Sequence, residues 1–287
     1  MAEESGADCL AAATAAGSAS YDKLVIIIDD LGHNLHSGRK ALALPGKITY
    51  AVIPFTPHGK KLARTAEAVG KEVMVHAPMA TQDGAPLGVG GLTADLSREE
   101  FRTLLLAAIE EFPQARGINN HMGSDLTERR RQMAWTMQEL RWRDLYFVDS
   151  RTSENTVAAT VAKEFRVPNL SRQVFLDNNP NRADIEARFE ELLTKVRERG
   201  IAVGIGHPYP ETIDYLREAL PQLEDQGIRL AFVSEAIDAK AQIAARRLQR
   251  NNLHDHPETD REQLADGCGQ SEDRVADRAL RVHTTGS

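Results

Sequence analysis

The stretch Leu24-Val25-Ile26-Ile27-Ile28-Asp29-Asp30-Leu31-Gly32-His33 decides the fold. Five apolar residues run straight into two carboxylates, a glycine and a histidine. The run is too short for a free-standing helix and too uniform for a half-exposed strand. It predicts a strand buried on both faces, as in a parallel sheet. Asp29 and Asp30 then sit at its C-terminal end, where parallel α/β folds gather their chemistry. Adjacent acids repel, so a pair closing a buried strand calls for a cation or a shared proton. The competing reading makes Asp30 the N-cap of the helix that follows.

Outward from this strand, strand and helix patterns alternate. Strands are predicted from Ile48 to Ile53, Glu72 to His76, Arg116 to Asn120, Leu145 to Asp149, Val167 to Leu170, Ile201 to Ile205 and Arg229 to Val233. Helices are predicted between them, including one from Phe101 opened by the capping box Ser97-Arg98-Glu99-Glu100 and one from Asn181 to Arg199 stopped by Gly200. The segment from Ala77 to Gly91 is a loop long enough to be functional. The segment Val174-Phe175-Leu176-Asp177 reads as irregular. About eight such units without an internal linker predict a distorted (β/α) barrel of about 7–8 parallel strands over residues 23–238. An open doubly wound sheet is the alternative, weakened by the lack of a Gly-rich nucleotide loop after the first strand.

Composition bounds the function. Of 287 residues, 41% are apolar, enough for a sizeable core. The net charge of −7, without a basic block, argues against nucleic acid as a partner. No run of about 18 apolar residues predicts a transmembrane helix. Cys9 and Cys268 lie in the weakly patterned ends and leave the redox compartment open. Residues 1–22 lack the positive start and apolar run of a secretory signal and read as a disordered segment. Residues 239–287 read as a helical end with a flexible polar tail.

Chemistry-bearing side chains gather just after the strands. The first strand supplies Asp29, Asp30 and His33, and the third supplies His76. The fourth supplies Asn119, Asn120 and His121, the fifth Asp149, Ser150 and Arg151, and the strand from Ile201 supplies His207. Each has a bland reading alone: His76 as a core histidine, Asp149 as a helix cap, His33 and His36 as solvated loop residues. In a barrel, however, all these strand ends face one rim. Imidazoles and carboxylates converging from several strands suit a Zn²⁺-like divalent cation, which makes metal-assisted hydrolysis the leading chemistry. Tyr209 and Trp142 are candidates to stack on a sugar.

Five motifs then resemble, in order, the divergent polysaccharide deacetylase family of bacteria. They are Ile28-Asp29-Asp30-Leu31-Gly32, His76-Ala77-Pro78-Met79, Asn119-Asn120-His121-Met122-Gly123-Ser124, Asp149-Ser150-Arg151-Thr152 and Gly206-His207-Pro208-Tyr209-Pro210-Glu211-Thr212. The resemblance covers about Lys23 to Ile237. It implies a distorted barrel that removes N- or O-acetyl groups from glycans, such as envelope polysaccharide, with a divalent metal, usually zinc. It implies Asp29 as base, Asp30 as metal ligand and His207 as general acid. Well-studied deacetylases place a second histidine four residues after the first. Here that position is Ala80, and His121 fills the gap, giving an expected ligand set of Asp30, His76 and His121. Asp149 is expected to orient His207 or bind metal, and Asn120 to stabilise an oxyanion. Asn119, Asn120, Ser124, Arg151 and Tyr209 are the expected substrate contacts. Family members are commonly exported, which implies an extracytoplasmic location. The missing histidine also supports a second expectation, a non-catalytic module that binds glycan or a partner protein. A haloacid-dehalogenase-type phosphatase would need an acid at Leu31 and is disfavoured.

Overall fold

The computed structural model describes residues 22–255. The N-terminal segment, apart from Asp22, and the tail beyond Asp255 lie outside the described residues. Strand β1 (Asp22–Leu31) is the axis of the sheet, with Leu24–Ile28 fully buried. Its burial follows from pairing on both edges. β8 (Ile201–Gly206) runs parallel along Lys23–Ile28, and β2 (Ile48–Val52) along Ile26–Leu31. A short β9 (Ile228–Leu230) pairs with Asp22–Leu24, on the edge that β2 takes over further along.

The remaining strands are β3 (Glu72–Met79), β4 (Gly117–Met122), β5 (Tyr146–Asp149), β6 (Asn169–Ser171) and β7 (Val174–Phe175). The order is β6-β5-β4-β3-β2-β1-β8-β7, with every pair parallel. Among the described residues β6 and β7 do not pair, so the curled sheet is a distorted (β/α) barrel with one seam. The strand β7 falls where an irregular loop was expected. Two residues are too few to show a period, and only pairing with β8 makes them a strand.

Apart from the direct step from β6 to β7, helices return the chain from each strand end to the next: α1 (Leu35–Leu42), α2 (Gly59–Ala68), α3 (Arg98–Glu110), α4 (Arg130–Trp142), α5 (Ala158–Glu164), α6 (Arg182–Arg199) and α7 (Pro210–Ala219), with α8 (Val233–Asp255) following β9. The Ser97–Glu100 capping box forms as the sequence predicts, and Gly200 ends α6 in the left-handed conformation. Contacts divide the chain after Asp238; of the unit beginning at Ala239, residues 239–255 are helical. No helix among the described residues is long and apolar enough to cross a membrane.

Alternation along the strands separates two cores. Ile26, Ile28, Val52, Val73, Val75, Ile118 and Phe147 belong to the large outer core that the helices cover. Val25, Ile27, Ala51, Met74, Val148, Val203 and Ile205 form a smaller core inside the barrel. Continuing the inner row upward by steps of two reaches Asp29, His76, Ser150 and His207. The opposite end of the barrel holds a polar plug with its partners supplied: Glu72 accepts from Thr49, Tyr146 and Ser234. The contrast between a satisfied bottom and a charged top locates the chemistry.

One glycine shapes that top. Gly32 has φ +135°, and a Cβ there would lie 2.1 Å from Thr56 Oγ1. Gly32→Ala is therefore expected to cost about 2 kcal/mol or more, read as a lowered midpoint in urea unfolding. An unchanged midpoint would show that the turn relaxes freely.

Candidate metal centre and active site

In a regular strand Asp29 and Asp30 would point to opposite faces. Two features of β1 bring both to the top. Between Ile28 and Leu31 the register against β2 slips, three residues of β1 spanning two of β2, and Asp30 takes φ +59°. This is a bulge that re-aims a side chain, with left-handed backbone strain of roughly 1–3 kcal/mol stored at one residue. Asp29 stays in the inner row and is 2% exposed, while Asp30 turns over the mouth.

Pairing of β3 with β4 sets His76 opposite Asn119 and Pro78 opposite His121. The three donor atoms then converge. His76 Nε2 lies 3.1 Å from Asp30 Oδ1, His121 Nδ1 lies 2.8 Å from the same oxygen, and the two ring nitrogens are 3.1 Å apart. Ligand atoms around a tetrahedral zinc with bonds of ~2.0–2.1 Å are spaced by roughly 3.3 Å. Despite these two close nitrogens, Asp30 Oδ1 is a buried oxygen that accepts no well-aligned hydrogen bond among the described residues. A buried carboxylate oxygen is costly to leave unpaired, and a cation is the partner that this donor set fits. The far side of His76 is prepared for ligation. Its Nδ1 donates to Asn119 Oδ1 at 2.8 Å, since an amide oxygen can only accept, and this leaves the Nε2 lone pair facing Asp30. Asn119 Nδ2 in turn donates to Asp29 Oδ1 at 2.8 Å.

Two groups flank the cluster. Asp29 Oδ2 lies 3.6 Å from His76 Nε2. His207 Nε2 lies 3.9 Å from Asp30 Oδ2, and its Nδ1 lies 2.8 Å from Asp177 Oδ1. Asp177 is buried and also accepts from the His207 backbone N–H at 2.6 Å and the Thr212 hydroxyl at 2.8 Å.

The profile of the divergent polysaccharide deacetylases matches residues 26–237. This chain belongs to that family. The uncharacterised protein YibQ of Escherichia coli (strain K12) is 39% identical over 201 residues, 70% of this chain. The chain spans 63% of the length of that relative. Among solved structures, the uncharacterised protein ATU2773 of Agrobacterium tumefaciens C58 has a TM-score of 0.73 at 21% identity, covering 76% of this chain and 90% of that one. A mutant of BA3943, a CE4 family pseudoenzyme with restored enzymatic activity, has a TM-score of 0.50 at 14% identity, covering 76% and 68%. Both likenesses concern the fold.

In this member of the family the buried charges lie close together and shift one another. Burial raises the pKa of Asp29, and Asp30 adds to the rise against the opposing pull of His76, His207 and Asn119. Burial opposes ionisation of Asp30 too, but His121 and His76 beside it hold its carboxyl well below the usual range. Burial disfavours charge on His76, yet Asp29 and Asp30 outweigh it and push its pKa up. A cation on the same donors competes with that proton, so metal uptake releases protons and weakens at low pH. For His207, burial is likewise outweighed by Asp177, Asp29 and Asp30, which raise it to about 9.

Several expected roles are revised by the geometry. Asp149 does not reach His207. It follows Phe147 in the outward row, and its oxygens accept from the Arg151 backbone N–H and the Thr156 hydroxyl. Asp177 holds His207 instead. Asn119 is fully buried, so it supports His76 and Asp29 rather than touching substrate. Asn120 faces the other way. Its amide donates to Met122 O and Thr152 Oγ1 and accepts from Ser150 N–H, leaving no donor for an oxyanion. Ser124 accepts from the Gln82 backbone N–H and pins the loop after β3. Trp142 is exposed but closes α4, where the chain turns back towards the start of β5, on the rim away from the site. His33 and His36 are exposed. Tyr209, 42% exposed, sits at the rim with its ring 5.6 Å from that of His207. Arg151 follows β5 with φ +49° and is exposed.

Proposed function

We propose that this chain is a metal-dependent hydrolase that removes acetyl groups from N-acetylated glycan of the cell envelope, acting outside the cytoplasm. The observation that carries the reading is the convergence of Asp30, His76 and His121, with Asp29 and the Asp177-held His207 on either side. Zinc is the cation this imidazole and carboxylate set suits. A divalent cation held there supplies Lewis acidity towards the acetyl carbonyl and lowers the pKa of water.

The chain's own groups move the protons. Asp29 accepts the proton of the attacking water as its oxygen bonds to the acetyl carbon. Its raised pKa makes it a better base than a solvated carboxylate. Asn119 holds Oδ1 of Asp29 and leaves Oδ2 facing the cluster. His207, protonated below about pH 9, gives its Nε2 proton to the departing amine as the C–N bond breaks. Acetate and the free amine leave. Tyr209 offers an exposed ring face to the sugar.

The test is acetate release from acetylated chitooligosaccharides and peptidoglycan fragments, before and after chelation. Release that a chelator abolishes and zinc restores is the expected result. Glycan binding without acetate release would instead favour a non-catalytic module, a role for which the fold neighbour BA3943, a pseudoenzyme, gives precedent.

A further inference from the structure

We infer that Arg151 and Arg172, beside the metal cluster, form an oxyanion subsite, and that the acetylated glycan taken here carries a carboxylate close to its acetyl group. The inference rests on the deacetylase reading above and names the substrate class of that same site.

Arg172 directly follows β6, and β6 pairs with β5 so that Ser171 lies opposite Asp149. The side chain of Arg172 reaches over to the end of β5. Its Nε donates to Ser150 O at 2.6 Å and its Nη2 to Arg151 O at 2.7 Å. Two bonds to carbonyls fix the plane of the guanidinium without neutralising it. Its face lies 3.8 Å over the Phe175 ring, and Phe175 stacks on His207 with centroids 6.2 Å apart and planes at 24°. One aromatic ring therefore links this cation to the imidazole that flanks the cluster. Nη1 of Arg172 has no hydrogen bond or ion pair among the described residues, and neither does the side chain of Arg151.

Several arginines elsewhere are ion-paired, as in Arg129–Asp125, Arg130–Glu164 and Arg188–Glu191, whereas Arg151 and Arg172 are not. Asp149 is near, but it spends its oxygens on a backbone N–H and a hydroxyl. Burial and the neighbouring charge of Arg151 push Arg172 down to about 10, so Arg172 stays cationic at neutral pH despite the repulsion between the two. A planar oxyanion bound between them would relieve that repulsion and use the free edge of a preorganised fork. A carboxylate on the acetylated sugar or on its neighbour meets this requirement.

The experiment uses the zinc-loaded full chain and two acetylated oligosaccharides that differ only by one carboxylate next to the acetamido sugar. A third, carrying phosphate in that place, tells a general oxyanion preference from a carboxylate one. Binding is measured by calorimetry and turnover by acetate release. The native chain should bind the carboxylated glycan roughly tenfold more tightly than the neutral one, and the preference should shrink as salt is raised. Arg151→Ala and Arg172→Lys should bring the ratio close to one, and thermal melting reports whether each variant folds. Lysine keeps the charge of Arg172 but not the fork; if Arg172→Lys unfolds, Arg151→Ala decides. Equal binding of the neutral and carboxylated glycans, a preference surviving Arg151→Ala, stronger binding of the phosphate analogue, or no binding at all would overturn the inference. Selective binding without acetate release would uphold the subsite and refute the deacetylase reading; acetate release without selectivity would do the reverse.

Discussion

Replacing His121 with alanine should abolish zinc binding and, with it, acetate release. Among the described residues His121 supplies one of three clustered side-chain donors, and its Nδ1 lies within 3.1 Å of both others. Loss of a group that merely supports a ligand costs roughly 10–100-fold in metal affinity, so loss of the ligand itself should exceed that. Asn119→Ala provides the graded comparison. It removes the hydrogen bond that fixes the His76 tautomer but leaves all three donors, so its affinity should fall by roughly 10–100-fold and no further. Equal zinc affinity in the native chain and His121→Ala would remove His121 from the ligand set and reopen the gap at Ala80.

His207→Ala should reduce kcat for acetate release by roughly 10²–10⁴-fold, the usual worth of a positioned acid, while zinc content stays the same. The pH profile separates the acid from its support. His207 is raised from 6.5 to about 9, so activity that needs the imidazolium should fall as pH rises through about 9. Asp177→Asn removes the partner that raises it, and burial then acts with less opposition. The alkaline limb should move to lower pH in that variant. The same shift has a sign for stability. A group whose folded pKa lies above its unfolded value stabilises fully below pH 6.5, and that contribution is lost as pH rises through about 9. Urea midpoints of the metal-free chain should drop across that window, and Asp177→Asn should flatten the drop. An unshifted limb in Asp177→Asn would deny Asp177 this role.

The barrel was legible because Leu24–Ile28 of β1 are uniformly apolar and two carboxylates come at once after Ile28. The cluster of His76, His121 and Asp30 was legible because all three stand at strand ends, and strand ends share a rim. What the sequence concealed was which way each strand-end residue faces. Asp149 shares the parity of Phe147 and points at the helices, whereas Ser150 shares that of Val148 and points inward. Counting in twos from the apolar residues would have moved Asp149 and Asn120 off the site. Asp30 breaks the same count, because a bulge and a positive φ reverse its direction, and nothing in the local residue types announces that. Asp177 was missed for another reason. It follows a two-residue strand without periodicity, and only the pairing of β7 with β8 carries it to His207. Arg172 stands just ahead of that stretch, and only the pairing of β6 with β5 carries it to the end of β5.

The account depends above all on Asp30, His76 and His121 forming one site for a divalent cation. Titration of the chelator-stripped, metal-free chain with zinc, followed by calorimetry, tests this most directly. One zinc per chain, bound with proton release and lost in Asp30→Asn and His121→Ala, is the predicted result. No heat of binding in the native chain, or the same stoichiometry and affinity in both variants, would contradict it.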